Sequence, residues 1–472
     1  MKKKKVCILG DNMSYSTGNA RVIRELAKGF KKLLCYDVSH IAIGPDGVDT
    51  IKDGIKIFPI EECGFDDRSV YKFLNKLSQY IEKEKFDFLI ILGDAINYQK
   101  RGIGNLIPNN KTKIIFWETV DSNVRLCMEQ GYNMQSVRKE IYNVCDHVIT
   151  TAKYGQEVLE NELVKVDKTI WEFADTNKFY PIDQKKKIEI RREYRFKDDD
   201  FIFFMVGRNI RRKNNELALS ALYPLLLEHE DIKVFCLIPD FNRDDESNLS
   251  DYIQRVLVKE HGRDLIQERQ IIFCTIDGKT PVRLMEGVSD NEVVRYHQLS
   301  DAFISSTSNE GFNLNFGEAL AVGHPYVGIA NTTLPELCNN GEFAYMAPID
   351  FSFNVGMGMK VSTCNEETLR DYARKCYNDW NIKYSKNSEV IELKNKLQTI
   401  TYLNAKDEEK NPIIEKLNKH LELKKKEQSD KIKNLESRRE ELRKYIVDAM
   451  PIGKCIAEWH KFLKSISDKE GK

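Results

Sequence analysis

One rhythm, run through twice, limits the folds open to this chain. After the opening lysines, residues 6–10 read VCILG, a short apolar run closed by a glycine. A polar loop then leads into ARVIRELAKGFKKL, whose apolar residues recur at helical spacing. The alternation continues through VSHIAIG, an amphipathic stretch over 70–81, FDFLIILGD, KIIFWETV, a helical stretch over 137–144 and HVITTA. Continuous apolar strands alternating with helices predict a parallel sheet covered on both faces.

The rhythm breaks at IWEFADTNKFYPIDQKKKIEIRREYRFKDDD, where an aromatic and proline turn precedes a densely charged segment. It restarts with FIFFMVGR, a helix over 215–227, IKVFCLIPD, a helix around 252–258, QIIFCT, a helix near 292–299, AFISSTS and PYVGIA. We therefore divide the chain into a first Rossmann-like domain at 1–182, a charged linker at 183–200, a second Rossmann-like domain at 201–364 and a helical, charged extension at 365–472. The expected fold class is α/β, two doubly wound domains facing each other across a cleft, with ligands at the carboxyl ends of the strands.

The tail from Lys406 to Lys444 is dominated by Lys, Glu and Arg. Ile414, Leu421, Leu435 and Leu442 hold a seven-residue spacing, but Lys424, Lys431 and Arg438 fill the companion seam. A solvated helix, not a coiled coil, is expected there. Beyond it, Ile452, Ile456, Trp459, Leu463 and Ile466 form one apolar stripe, expected to dock on the body of the same chain.

Charge and cysteine usage narrow the class. With 73 basic and 73 acidic residues the net charge is zero, so nothing global draws the chain to nucleic acid or an anionic membrane. Any anion it binds must meet a local positive site. The eleven cysteines are odd in number and never fall at a close metal-ligand spacing, which fits reduced thiols in the cytoplasm. No apolar run approaches the roughly 18–20 residues that span a bilayer, and the KKKK start lacks the apolar segment of a signal peptide. The acidic runs at 198–200 and at Asp244–Asp245 read as solvated loops, and no metal site is expected.

Against this background, NEGFNLNFGEAL at 309–320 puts Glu310 and Glu318 on either side of two glycines and two phenylalanines. AFISSTS reads as a strand entering a loop, and LNFGEALAVG as a helix that begins near Asn313 and ends by Gly323. Glu310 then precedes the helix and Glu318 lies in its first turns. A helix start favours an anion, because its free N–H groups and dipole point at the ligand. With a carboxylate on each side, the arrangement suits a sugar on a nucleoside diphosphate, although Glu in a first turn is also common for dipole reasons alone.

A second feature supports the same ligand. In MVGRNIRRKNNELALSAL, Gly207 marks the turn after the strand, and Arg208 and Lys213 stand in the loop at the carboxyl edge of the sheet. Two cations beside a helix start can neutralise a diphosphate. Arg211 and Arg212 read equally well as a basic surface loop.

Together GR at 207–208 with Lys213, EGFNLNFGE, ALAVGHP and the earlier ADTNKFYP resemble the retaining nucleotide-sugar glycosyltransferases of family 4, which have the GT-B fold. The resemblance covers about 201–347 best. It implies that Arg208 and Lys213 bind the donor diphosphate, Glu310 contacts the donor sugar and Glu318 bonds the ribose hydroxyls. Gly311, Phe312, Asn313 and Leu314 would line the donor pocket with Gly207, and Gly18, in SYSTGNAR, would let the first half approach the donor. Many relatives carry a histidine after the strand matching KIIFWETV; here Trp117–Asp121 stand instead, and Asp121 is the chosen substitute, with Glu118 the other acid. The implied partners are a UDP- or GDP-linked sugar and a hydroxyl acceptor, glycan, lipid-linked or small, with no cofactor required. A modified base in DNA and a non-catalytic nucleotide-sugar binder or scaffold stay open as alternatives.

Overall fold

The structure is a computed structural model that describes residues 3–470 apart from 16, 46, 65, 107–110, 122–133, 242–247, 276–287, 356–358, 382–392, 394–395 and 398–406. Asp244, Asp245 and Lys406 lie outside the described residues. In the first half β1 (Lys4–Asp11), β2 (Tyr36–Gly44), β3 (Thr50–Lys52), β4 (Ile55–Glu61), β5 (Phe88–Gly93), β6 (Lys113–Glu118), β7 (His147–Thr150) and β8 (Lys168–Thr169) form, among the described residues, one sheet in the order β3-β4-β2-β1-β5-β6-β7-β8. The pairing is parallel except at the β3–β4 edge. Val6, Cys7, Ile8 and Leu9 of β1 are fully buried, as a central parallel strand covered on both faces requires.

The second sheet contains β9 (Phe201–Val206), β10 (Ile232–Leu237), β11 (Ile271–Phe273), β12 (Ala302–Ile304), β13 (Tyr326–Ile329) and β14 (Tyr345–Ala347), all parallel, in the order β11-β10-β9-β12-β13-β14. This is the doubly wound order 3-2-1-4-5-6, which reverses between β9 and β12. The first sheet reverses likewise between β1 and β5. Loops leaving these four strands diverge at their carboxyl ends and open two crevices, which face each other. The β3–β4 hairpin and β8 had no counterpart in the sequence rhythm, since both are short and lie at or next to a sheet edge.

Helices fill the intervals. α1 (Gly18–Lys32) follows β1 and is capped by Thr17, whose side chain accepts from the Ala20 N–H. The segment 183–200, expected as a charged linker, instead carries α2 (Gln184–Glu193) packed on the second half. Its Lys187 and Arg191 are buried, and both pair with Asp301 at the start of β12; Arg191 also donates to Leu299 O at 2.9 Å. Composition misled here because cations at i and i+4 share one helix face, and that face meets a buried acid. Farther along, α3 (Asp290–Leu299) opens with a Ser289–Glu292 capping box, and α4 (Leu314–Ala321) follows the loop after β12.

The extension is not a free tail. α5 (Glu366–Trp380) packs on the second sheet's layer through Leu369, Ala373 and Cys376. In α6 (Asp407–Ala449), expected to be solvated, Leu435, Leu442 and Ile446 are buried in the core of the second half. Arg443 of α6 donates to Phe179 O at 3.0 Å and Thr176 O at 3.2 Å on the inter-domain connection and to Ala321 O at the end of α4, tying the two together. The last helix, α7 (Ile452–Glu470), crosses back and buries Trp459 and Leu463 in the core of the first half. The Trp459 ring meets Trp117 at 5.1 Å and Phe30 at 6.3 Å, edge to face. The expectation that this stripe docks on its own chain holds. The chain thus crosses between halves twice, and the crossings touch: Ala174 N donates to Met450 O at 3.1 Å. Among the described residues, no helix is long and apolar enough to cross a membrane.

Candidate active site in the cleft

A cavity of about 350 Å³ lies where the two crevices meet. That is the size of a small-molecule pocket. Its wall includes Gly18, Asp121, Gly207, Arg208, Lys213, Glu310, Gly311, Phe312, Asn313, Leu314 and Glu318, all singled out in the sequence, but not Glu118.

The two glutamates differ in partners as in position. Glu310 is buried in the loop before α4, and its carboxylate pairs with Lys213 and, at 3.0 Å, with Arg212. Burial alone would raise its pKa, but the two cations outweigh it and hold the carboxyl below its ordinary value. Glu318, also buried, lies inside α4 and receives Arg21 from α1 at 2.6 Å, with His297 at 3.5 Å, the limit of a hydrogen bond. Burial lowers the His297 pKa below its ordinary value, against the opposing pull of Glu318.

Local chain geometry sets this up. After β9 a 3-10 turn over Arg211–Lys213 ends at Asn214 with φ of +49°. The turn brings two successive cations, Arg212 and Lys213, to one carboxylate. It is fastened to the loop after β12 by Ser308 N–H on Arg212 O at 2.8 Å and by Ser306 Oγ on Asn214 O at 2.6 Å. Asn313 caps α4, accepting from Phe316 N–H at 3.3 Å while donating to Tyr326 Oη at 2.7 Å. Arg208 is exposed and lines the cavity; its guanidinium has no hydrogen bond or ion pair among the described residues.

Three findings correct the sequence reading. Arg212 is more than a basic surface residue: half-buried, it bridges Glu310 and Asp121, at 3.4 Å from the latter. Glu118 does not face the cleft; it is fully buried behind it, with both oxygens accepting from Ala95 N–H at 3.1 Å, and burial followed by the charge of Asp94 pushes its pKa up to about 8. Gly311 lines the pocket, but its N–H is taken by Asp121 at 2.7 Å and its carbonyl by Thr151 at 3.0 Å. A Cβ at Gly311 would stand 2.8 Å from the carbonyl carbon of Thr119, so only glycine allows the two halves to approach there. Gly18 makes a similar approach, its missing Cβ 3.2 Å from Leu314.

Among the charged wall residues that were not singled out in the sequence are Arg21, Asp94 and Glu172. Arg21 sits one turn into α1, where nothing local distinguishes it from a solvated arginine. Asp94 caps the helix after β5, accepting from Ile96 N–H at 2.9 Å, and burial followed by the charge of Asp121 pushes its pKa up to about 6. Glu172 lies on the first crossing between the halves. Only the chain order of the first sheet brings Asp94 to the cavity; its signal, an acid closing the strand FDFLIILGD, was present in the sequence.

No family model matches this chain. A stretch of 210 residues is 24% identical to alpha-monoglucosyldiacylglycerol synthase of Streptococcus pneumoniae, covering 44% of this chain and 42% of that protein. The match thus spans less than half of the relative's length. Among solved structures, sucrose-phosphate synthase from Thermosynechococcus elongatus superposes with a TM-score of 0.67 at 12% identity, over 99% of this chain and 100% of the other. Anabaena HepE in complex with UDP and glucose gives 0.60 at 11%, over 98% and 100%. A glycosyltransferase from Rickettsia africae gives 0.59 at 15%, over 99% of each. At these identities the likeness establishes the fold: two Rossmann-like domains about a cleft, the GT-B arrangement, with a helical C-terminal extension.

Proposed function

We propose that this chain is a glycosyltransferase that moves a hexosyl unit from a UDP- or GDP-linked sugar to a hydroxyl acceptor, with retention at the anomeric carbon and without a required metal. The observation that carries the reading is the convergence, on one cavity, of the α4 start, Arg208, Lys213 and the two acids Glu310 and Glu318. The complex of Anabaena HepE with UDP and glucose supports a nucleotide-sugar donor in a fold of this kind.

In this reading the bond between the anomeric carbon and the diphosphate oxygen breaks, and the acceptor oxygen bonds to the same carbon. The acceptor proton passes to the departing phosphate oxygen on that face. Negative charge grows on the diphosphate, so cations and N–H groups fixed near it lower the barrier most. Arg208, without another partner among the described residues, meets that charge, with Lys213 beside it. Glu310 accepts from the sugar hydroxyls. Glu318 accepts from the ribose once Arg21 shares it. Asp121 stands on the acceptor side of the cleft, holding Gly311 and Arg212 in place.

The test is a panel of nucleoside diphosphate sugars incubated with the purified chain, scored for release of free nucleoside diphosphate and for thermal stabilisation. Release from one or two donors, lost in Arg208→Ala, is the expected result. Neither release nor stabilisation with any donor would overturn the proposal.

A further inference from the structure

Glu172 is left unexplained by the mechanism above. It lies between β8 and Ala174, on the first crossing, with only 4% of its surface exposed, and it contributes to the cavity wall. Trp171 beside it meets the Phe312 ring at 6.3 Å, which sets this segment against the start of α4.

The groups that face Glu172 come from three other parts of the chain. Asp121 from the loop after β6 and Glu310 from the loop before α4 act on it with negative charge, and the buried Cys455 thiol of α7 lies close by. The cations in reach of those acids, Arg212 and Lys213, are already paired with Asp121 and Glu310. Among the described residues, no side chain forms a hydrogen bond or ion pair with the Glu172 carboxyl. Ionised, it would be a third carboxylate at this site, buried and without a counter-ion of its own among the described residues, which is costly. Burial first, then Asp121 and Glu310, push its pKa up to about 8.

A protonated carboxyl differs from its neighbours in one respect: it carries an O–H and can donate. A buried donor with open space before it calls for an acceptor atom in whatever fills that space. We infer that Glu172 is a neutral hydrogen-bond donor to a hydroxyl oxygen of the sugar bound beside Glu310, and that it helps to select which sugar the cavity accepts. Because Glu310 accepts while Glu172 donates, the pair reads two hydroxyl positions with opposite polarity. A sugar with one hydroxyl inverted leaves one of them unpaired, and a buried unpaired polar group is the strongest basis for rejecting a ligand. The inference rests on the reading of the cavity as a nucleotide-sugar site.

The experiment separates the two. Infrared difference spectra of wild type minus Glu172→Gln, without ligand, read the carboxyl directly: a protonated band is expected at pH 6.5, replaced by carboxylate above about pH 8. Donor kcat/KM is then measured across that range with epimeric nucleotide sugars. Wild type should decline as pH rises through 8. Glu172→Gln, which keeps a donor, should stay within about threefold at pH 6.5 and lose that decline. Glu172→Ala should fall about tenfold or more with the preferred sugar and discriminate less between epimers. A chain that turns over nucleotide sugars while Glu172 is ionised at pH 6.5, or in which Gln behaves like Ala, or in which Ala behaves like wild type, overturns the inference alone. A protonated Glu172 in a chain that turns over none overturns the reading of the site, and the sugar contact with it.

Discussion

Gly311 donates its backbone N–H to Asp121 Oδ1 at 2.7 Å, joining the loop before α4 in the second half to the loop after β6 in the first. The same glycine accepts from Thr151 at 3.0 Å, so one residue fastens two loops of the opposite half. Gly311→Ala would drive a methyl to 2.8 Å from Thr119 backbone and 3.0 Å from Asp121. The halves must then separate locally. We expect at least a tenfold loss of turnover with the fold retained, read by activity and circular dichroism; turnover at the wild-type level would show that the close approach is dispensable.

Arg208 and Lys213 share an expected role but not an environment. Each alanine variant should lower turnover on the order of a hundredfold, the usual effect of deleting a donor aimed at developing charge. Their stabilities should diverge. Arg208 is exposed and unpaired among the described residues, so its loss should leave Tm within error. Lys213→Ala leaves Glu310 buried with Arg212 as its remaining cation and should cost up to about 3 kcal/mol, visible in denaturant titration. Equal stability of the two variants would contradict the pairing.

Glu318 is held by Arg21 from the other half at 2.6 Å. Arg21→Ala should therefore change affinity for free nucleoside diphosphate, as should Glu318→Gln. Calorimetry on both, and on the double variant, measures the coupling; strictly additive effects would mean that the two side chains act independently.

Buried acids give the chain a pH-dependent stability of defined sign. Glu118 titrates near 8 in the folded chain, with burial the main cause, against about 4.3 when unfolded. Between those values the folded state holds the extra proton, so its contribution is complete below about pH 4 and is lost as pH rises through 8. Asp94, pushed up to about 6, acts in the same direction. Tm should fall from pH 5 to pH 8.5 in wild type and fall less in Glu118→Gln. Parallel curves would exclude Glu118 as a source.

Much of the site was legible because its second-half residues lie in two short segments, 207–213 and 310–318, whose spacing from strand ends is set by local structure. Strand, loop and helix placed Glu310 ahead of α4 and Glu318 inside it. Partners from the other half were not legible. Arg21 and Glu172 reach the cavity only after both sheets have folded and closed on each other, and no local pattern carries that information, whereas Asp94 had a local signal as the acid closing FDFLIILGD that went unread. Arg212 failed for a subtler reason: a 3-10 turn, unlike an α-helix or a strand, can turn two consecutive side chains toward one carboxylate. The helix α2 was hidden by its composition, because a buried Lys187–Asp301–Arg191 cluster looks like a solvated run until its acid is found more than a hundred positions away.

Trp459, fully buried against Phe30 and Trp117, gives the chain an unusual order of assembly. Domains made on a ribosome generally fold from the amino terminus onward. Here the domain synthesised first lacks one wall of its core until α7 emerges, after the whole of its companion has been made. During translation that half waits with an apolar face uncovered, which makes it the point where chaperones would bind and where premature termination would leave an aggregation-prone product.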